Sequence, residues 1–121
     1  ALWRNRAYCC GNLNVDKMRA AAELFLGEHD FTMLRSAGSE VSSTVRNVSM
    51  ANISRCGDLA VFEVTADGFL YNMVRKMAAA LKEVGEGKAD KKRLQHIVDA
   101  KESFSLVAPP CGLYLWEVKY E

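Results

Sequence analysis

The chain has 121 residues, half of them apolar, and its 16 basic and 15 acidic side chains leave a formal charge of +1. This size and apolar content fit one domain with a single core, spanning residues 1–121. The near-neutral charge excludes binding to nucleic acid through net charge alone, so an RNA or DNA surface has to be a local patch. No apolar run is long enough to span a bilayer and no signal-peptide pattern opens the chain, so we expect no membrane partner.

The N-terminal third of the chain predicts one strand and one helix. Residues 3–10 form a strand-like run that a Gly-Asn pair closes. Asn14 is the expected N-cap of a helix, because apolar side chains recur behind it at helical spacing until Gly27 ends the pattern. Residues 28–43 contain one short apolar insertion and predict a loop-rich connection.

A hairpin of two strands is predicted next. Over residues 45–55 the apolar parity changes between Met50 and Ala51, which indicates a β-bulge. A Cys-Gly-Asp turn then leads into a mostly buried strand over residues 59–65. The two strands are therefore expected to pair antiparallel.

The C-terminal half predicts two helices and a final strand. The stretch "DGFLYNMVRKMAAAL" opens a helix expected over residues 68–83, and "GEGKAD" breaks it. Asp90 is the expected cap of a shorter helix, and residues 112–120 predict the last strand. The order β-α-β-β-α-α-β is that of a ferredoxin-like α+β fold with one extra helix, in which the helices pack on one face of an antiparallel sheet.

Arg75 stands out in the longer helix. At 3.6 residues per turn it falls opposite the apolar stripe, so it does not have to be a buried charge. It lies in the first turns, where the helix dipole disfavours a cation by a few tenths of a kcal/mol to about 1 kcal/mol. Ala78, Ala79 and Ala80 beside it are small and would let another surface approach closely. A solvated arginine on an outer helix face is the alternative interpretation.

The sequence contains no complete catalytic or metal-binding constellation. It lacks a Gly-rich phosphate loop, a G-x-S-x-G motif, an H-E-x-x-H motif and a zinc signature. His29 and His96 are far apart and are expected to be structural. The four cysteines, at positions 9, 10, 56 and 111, fit no metal-ligand spacing and are expected to be reduced thiols of an intracellular protein. We therefore expect neither a metal nor a cofactor.

Four arginines lie on or beside the predicted hairpin and the helix that follows it, namely Arg35, Arg46, Arg55 and Arg75. A guanidinium group offers a planar fork of donors that suits phosphates and base edges, so this cluster is a candidate RNA surface. An ordinary mixed-charge surface is the alternative. The aromatic platform on which many RNA-binding sheets stack bases is not evident, because residues 45–55 include no aromatic side chain.

Four stretches of the chain occur in a characteristic order: "VDKMRAAAELFLGEHDFTMLRS", "STVRNV", "FLYNMVRKMAAALKEVGEGK" and "APPCGLYLWEVKY". They resemble, in the same order, the G-x-H-D-F-x-x-F-R, T-x-R-x-[IV], F-L-x-x-M-V-R and A-P-x-x-G-L-Y-L-x-x-V-x-Y segments of TruA-type tRNA pseudouridine synthases. The resemblance covers nearly the whole chain. Four ordered and spaced segments are also a more specific signal than any one of them alone.

The family segment that carries the nucleophile has no counterpart in this sequence. In the family, a G-R-T-D-A-G segment of the N-terminal half supplies the aspartate that attacks during uridine isomerisation, and neither it nor the tyrosine-bearing motif that follows it occurs here. The resemblance therefore implies that the chain corresponds to the C-terminal half of such an enzyme. Its partner would be the N-terminal catalytic half of the same polypeptide, and the chain alone is expected to be inactive.

The resemblance also implies roles for individual residues near the reaction centre. Arg75 matches the M-V-R arginine, which lines the active-site cleft of the family and can pair with the catalytic aspartate. Leu113, in "GLYL", matches the apolar residue that packs near the target base. For Leu113 a place in the core of the sheet is the alternative interpretation. Because the reaction cleaves a glycosidic bond and rejoins the uracil through carbon, the resemblance implies no cofactor.

The implied substrate is the anticodon arm of tRNA, at positions 38–40. Family members act as homodimers in which one tRNA touches both subunits. Arg35 and Arg46 match family arginines and are the candidates for RNA backbone or cleft contacts, although either could instead tie the loop to the sheet. A cytoplasmic location is expected for such an enzyme.

Some positions depart from the family pattern. Leu34 replaces a phenylalanine, Lys76 an asparagine and Ala79 a glycine, and "AKESFSL" lacks an acidic-Arg pair that is common before the A-P segment. The lost pair puts one RNA or loop contact in doubt rather than the fold. Two other functions stay open: a stand-alone ferredoxin-like RNA-binding module without catalysis, and a small-molecule-sensing or assembly module of the same fold.

Overall fold

The computed structural model describes residues 2–35, 43–70, 72–99 and 115–120. Within these ranges five strands and three α-helices follow one another in the order β1 (Leu2–Cys10), α1 (Val15–Ala22), β2 (Gly27–Asp30), β3 (Val45–Cys56), β4 (Leu59–Ala66), α2 (Met73–Gly85), α3 (Lys91–Val98) and β5 (Leu115–Tyr120). Two 3₁₀ turns lie at Glu23–Phe25 and Thr32–Leu34. No helix in the described residues is long and apolar enough to cross a membrane.

All five strands join one antiparallel sheet in the spatial order β2-β3-β4-β1-β5. Without the short edge strand β2, the order β3-β4-β1-β5 is that of a ferredoxin-like fold, in which the first strand lies between the third and the fourth. The predicted α+β fold class is therefore confirmed. The predicted last strand is described only from residue 115 onward, and its earlier residues lie outside the described ranges.

The helices cover one face of the sheet, and the burial pattern of β1 shows which face it is. Asn5, Ala7 and Cys9 are buried, whereas the residues between them are partly exposed. In the register of the sheet, Ala7 lies opposite Phe62 and Asn5 opposite Val64, so β4 contributes the same face. α1 packs on β3 and α2 on β1, which closes the core from this side.

The predicted bulge is present in β3, one residue earlier than the sequence indicates. Val48 lies opposite Ala66 and Met50 opposite Thr65, so Ser49 is the extra residue. A bulge shifts the side-chain alternation by one, which explains the change of parity in the sequence.

The predicted start of α2 is wrong by five residues. The helix begins at Met73 rather than at residue 68 and ends at Gly85. The Asp67 carboxylate, five residues before Asn72, accepts a hydrogen bond from the backbone N–H of Asn47 at 2.9 Å and so ties the loop to β3. Arg75 is consequently the third residue of α2, closer to the helix start than predicted.

The predicted cap of α3 is confirmed, and the edge strand β2 is a missed element. The Asp90 side chain accepts from the backbone N–H of Arg93 at 2.9 Å. β2 carries the residues GEHD, which are mostly exposed and show no apolar alternation, so no strand signal could arise there. β2 pairs with the first residues of β3, from Val45 to Val48, and so adds an edge strand to that end of the sheet.

Candidate active site at the start of α2

Arg75 is partly exposed near the start of a helix whose other residues are mostly buried. Within α2 only Arg75, Lys82 and Glu83 are not buried, and Arg75 is the only one of them near the N-terminal end. Ala78, Ala79 and Ala80 are exposed by 3 % or less, so the close packing expected at these small residues is already filled within this chain. A partner surface would therefore meet α2 at Arg75 itself.

The Arg75 guanidinium makes no hydrogen bond or ion pair with any residue that the structure describes. The first turn of α2 also holds no acidic residue, and the N-cap Asn72 makes no side-chain capping bond and has a left-handed backbone with φ 59°. A cation at this end of a helix is disfavoured by the helix dipole. The start of α2 thus presents a half-buried positive charge that has no negative partner among the described residues.

The loop between β4 and α2 is fixed to the start of β3. The backbone N–H of Asp67 donates to the Asn47 carbonyl at 3.2 Å, which complements the bond from Asn47 to the Asp67 carboxylate. Gly68 lies against Arg46, since a Cβ on this glycine would stand 3.2 Å from the Arg46 Nε. The start of β3 and the segment leading to Arg75 therefore form one packed unit.

Arg46 lies at this same end of the sheet. Its Nη1 donates to the carbonyl oxygens of Ser43 at 2.8 Å and Val45 at 2.7 Å. The side chain is half-buried, and its Nη2 has no partner among the described residues. Arg46 thus ties the loop to the sheet and still offers one side of its guanidinium outward.

Arg35 follows the 3₁₀ turn over Thr32–Leu34, which contacts both α2 and α3. Phe31 donates to the Thr44 carbonyl at 3.0 Å and brings this turn to the start of β3. Arg35 is half-buried and makes no hydrogen bond or ion pair in the described part of the chain. Three of the four predicted arginines therefore lie on elements that meet at one end of the sheet.

Arg55 does not join this cluster. Its Nη2 donates to the carbonyl oxygen of Leu13 at 2.9 Å, near the start of α1 and at the opposite end of β3. Arg55 is therefore a structural tie between β3 and α1. Leu113, the predicted apolar residue near the target base, lies outside the described residues.

The H-D-F segment builds the loop that carries Arg35. The His29 Nε2 lies 2.7 Å from the Leu26 carbonyl and must donate to it, and the ring packs edge-on against Phe31. Asp30 accepts hydrogen bonds from the Thr32 backbone and the Thr44 hydroxyl. The His29 ring is thus hydrogen-bonded and packed within this loop.

A second basic cluster on β1 was missed by the sequence reasoning. The Arg6 Nε donates to the Glu63 carboxylate at 3.0 Å, and the Arg4 Nη1 lies 3.9 Å from the same oxygen. Hydrogen bonding to Tyr8 and the Glu63 carboxylate together raise the pKa of Arg6. Both arginines lie on the face of the sheet away from the helices; their alternate positions in a strand could have indicated this.

Metal binding has no support in the described residues, where no three His, Cys, Asp or Glu side chains are grouped to hold an ion. A guanidinium with free donors can instead bind a carboxylate or a phosphate through two parallel hydrogen bonds. The geometry at the start of α2 is thus suited to hold an anion that comes from outside the described residues.

The amino-acid sequence of this chain is similar to those of known proteins. A family model described as tRNA pseudouridine synthase matches residues 21–121. The chain belongs to this family. Its relatives include tRNA pseudouridine synthase A of Acetivibrio thermocellus, 40% identical over 123 residues, and that of Clostridium acetobutylicum, 43% identical over 123 residues. Each of these alignments covers 99% of this chain and 50% of the relative.

The family resemblance seen in the four sequence motifs is therefore confirmed. A third relative, tRNA pseudouridine synthase A of Bacillus pumilus, is 40% identical over 121 residues. The chain spans about half the length of these curated relatives.

Proposed function

We propose that this chain is the C-terminal half of a tRNA pseudouridine synthase whose catalytic aspartate lies in the N-terminal half of the same polypeptide. The complete protein would convert uridine to pseudouridine in the anticodon arm of tRNA, at positions 38–40. One observation carries this proposal. Arg75 is a half-buried cation at the start of α2, and it has no anionic partner among the described residues.

The proposed partner of Arg75 is the carboxylate of that aspartate. A carboxylate nucleophile has to stay ionised, and burial in a closed cleft would favour its neutral form. An opposite charge within about 4–6 Å favours the ionised form. The planar guanidinium also holds the orientation of the carboxylate through two donors, which a lysine ammonium would not do.

The proposed reaction is an isomerisation without net gain or loss of atoms. The glycosidic bond between C1′ and N1 of uridine breaks, the uracil rotates, and a bond forms between C1′ and C5. The C5 proton is lost and N1 gains a proton, so no oxidant, reductant or cofactor is required. The protein has to supply an ionised nucleophile, space for the rotating base, and contacts that hold the nucleotide out of the RNA stack.

The RNA contacts in this proposal come from Arg35, Arg46 and Leu113. Arg35 and the free side of Arg46 lie near the start of β3 and can reach phosphate oxygens. Leu113 would form the apolar wall beside the target base. By the same proposal the full-length enzyme is a cytoplasmic homodimer, and one tRNA touches both subunits.

The test is a pseudouridine assay with the complete polypeptide. Nucleosides of an unmodified tRNA transcript are separated and identified by mass spectrometry after incubation with the protein. We expect pseudouridine with the complete protein, none with residues 1–121 alone, and none with a tRNA in which the uridines at positions 38–40 are replaced by cytidine. Pseudouridine formed by residues 1–121 alone would refute the proposed location of the nucleophile. Salt-dependent tRNA binding without any pseudouridine from the complete protein would favour a binding module instead.

A further inference from the structure

The loop that leads into α2 takes the place of a helix cap. α1 and α3 each begin with a side chain that caps the helix, from Asn14 and Asp90, but α2 has no side-chain capping bond. Met73 and Val74 bury the first turn of α2 in the core, and the preceding loop joins this turn to the end of β4. Arg75 is the third residue of this helix, so a shift of the loop that moves the first turn would also move the Arg75 side chain.

Asp67, Gly68 and Leu70 make the following contacts in the described part of this loop. The Asp67 carboxylate and backbone N–H form a two-way pair with the backbone of Asn47, at 2.9 and 3.2 Å. Gly68 lies against the Arg46 side chain. Leu70 is 5 % exposed, and its carbonyl accepts from the Met73 backbone N–H at 3.0 Å, which is the first contact of the helix start.

We propose that Asp67 is a positioning residue for Arg75. It touches neither the nucleotide nor the reacting atoms in this account. Its carboxylate fixes the loop to β3, and the loop fixes the first turn of α2. The inference deepens the proposed function, since it assumes that Arg75 orients a catalytic carboxylate.

The hydrogen bond, rather than the negative charge, is the property of Asp67 that matters here. The Asn47 backbone N–H needs an acceptor, and an amide oxygen at position 67 supplies the same acceptor without charge. Asparagine at this position should therefore preserve the geometry, and alanine should not. A reacting group held about 1 Å from its productive place can cost about a hundredfold in rate.

The experiment compares Asp67→Ala and Asp67→Asn in the complete protein. Steady-state kcat and KM for tRNA are measured at a temperature at which both variants are fully folded by circular dichroism. We expect Asp67→Ala to lower kcat about ten- to a hundredfold, with KM within about twofold of wild type. Asp67→Asn should restore kcat to within about threefold of wild type.

Asp58 supplies a matched control, because it is an exposed aspartate in the turn at the other end of the β3-β4 hairpin. Asp58→Ala should leave both constants unchanged. The inference is overturned if Asp67→Ala keeps kcat within twofold of wild type, or if Asp67→Asn loses as much as Asp67→Ala. If the wild-type protein itself forms no pseudouridine, the proposed function fails, and this result is distinct from both.

A second variant tests the same loop if Asp67→Ala does not fold. Gly68 does not have a positive φ, so alanine causes no backbone strain there, but its Cβ would stand 3.2 Å from the Arg46 Nε. We expect Gly68→Ala to remain folded and to lower kcat severalfold; KM for tRNA can rise as well, because the new Cβ displaces Arg46. An unchanged kcat would show that small shifts of this loop do not reach Arg75 and would overturn the inference.

Discussion

The starts of α1 and α2 differ in nearly every feature that stabilises a helix end. At α1, the Asn14 side chain accepts from the Lys17 backbone N–H at 3.1 Å, and Asp16 adds a negative charge to the first turn. Arg19, one turn on, donates to Asp16 and to the Ile53 carbonyl, both at 3.1 Å. These are the capping and charge arrangements that favour a helix N-terminus.

At α2 each of these arrangements is missing. Asn72 has a left-handed backbone and makes no side-chain capping bond, and the first turn contains the cation Arg75 instead of an acid. Local choices that oppose stability concentrate at functional sites in natural proteins. The start of α1 thus has the features that stabilise a helix N-terminus, whereas the start of α2 lacks them and carries a cation.

Gly85→Ala should have the largest effect on stability, because the end of α2 supports the start of α1. A Cβ at Gly85 would lie 2.6 Å from the Sδ of Met18, which is fully buried, and 3.3 Å from the Leu13 Cβ. We expect the free energy of unfolding to fall by about 1–3 kcal/mol in urea titrations. The neighbouring exposed Glu86→Ala should change it by less than about 0.5 kcal/mol. Equal values for the two variants would contradict the packing described here.

Asn14→Ala should remove the cap of α1. Loss of this side-chain acceptor is expected to lower the free energy of unfolding by about 1 kcal/mol. Asn12 is exposed, precedes the helix and caps nothing, so Asn12→Ala serves as the control. The turnover of the complete enzyme should be unaffected by Asn14→Ala at temperatures at which it is folded. A drop in turnover would mean that α1 also contributes to the site.

Arg75→Ala should leave stability unchanged or raise it. The substitution removes a cation from the positive end of the helix dipole and introduces a better helix former, so a gain of about 0.3–1 kcal/mol is expected. Lys82 lies in the last turn of the same helix, where the dipole favours a cation. Lys82→Ala should therefore shift stability the other way by a few tenths of a kcal/mol. A strong destabilisation by Arg75→Ala would show that the arginine serves the fold.

Asp16→Asn should have the smallest effect. The Asp16–Arg19 ion pair is largely exposed, with side-chain exposures of 91% and 50%. Together with the dipole, it should contribute about 0.5 kcal/mol or less. The difference between wild type and variant should shrink further in 1 M NaCl, where surface charges are screened. A salt-independent loss above 1 kcal/mol would indicate a role other than charge.

Much of the fold could be predicted from the sequence, because most elements carry local signals. Asn14 and Asp90 mark two helix starts through short polar side chains before apolar periodicity. The change of parity in the strand at residues 45–56 indicated its bulge. The edge strand at Gly27–Asp30 could not be predicted, since it is held by pairing with β3 rather than by any apolar pattern of its own.

The sequence indicated which residue stands out near the start of α2, but not where that helix begins or which residues contact the loop before it. Arg75 could be singled out because a cation near a helix start opposes the dipole, but the true start at Met73 could not. Asp67 has the sequence signature of a cap and is used in a tertiary contact with Asn47, which only the folded sheet creates. Arg55 was grouped with the other arginines because it lies on the same hairpin, although the predicted strand over residues 45–55 places it at the end opposite Arg46. In the structure Arg55 bonds to Leu13 at that opposite end.

The most direct test of the central claim is the single-turnover rate of pseudouridine formation by the complete enzyme carrying Arg75→Ala, measured beside its unfolding free energy. Loss of a charge that pairs a buried carboxylate is expected to cost about 3–5 kcal/mol, which corresponds to a rate lower by about two to three and a half orders of magnitude. We expect this loss of rate while the affinity for tRNA stays within a few fold of wild type. The free energy of unfolding should be unchanged or higher. A rate near that of wild type would contradict the claim that Arg75 holds the nucleophile.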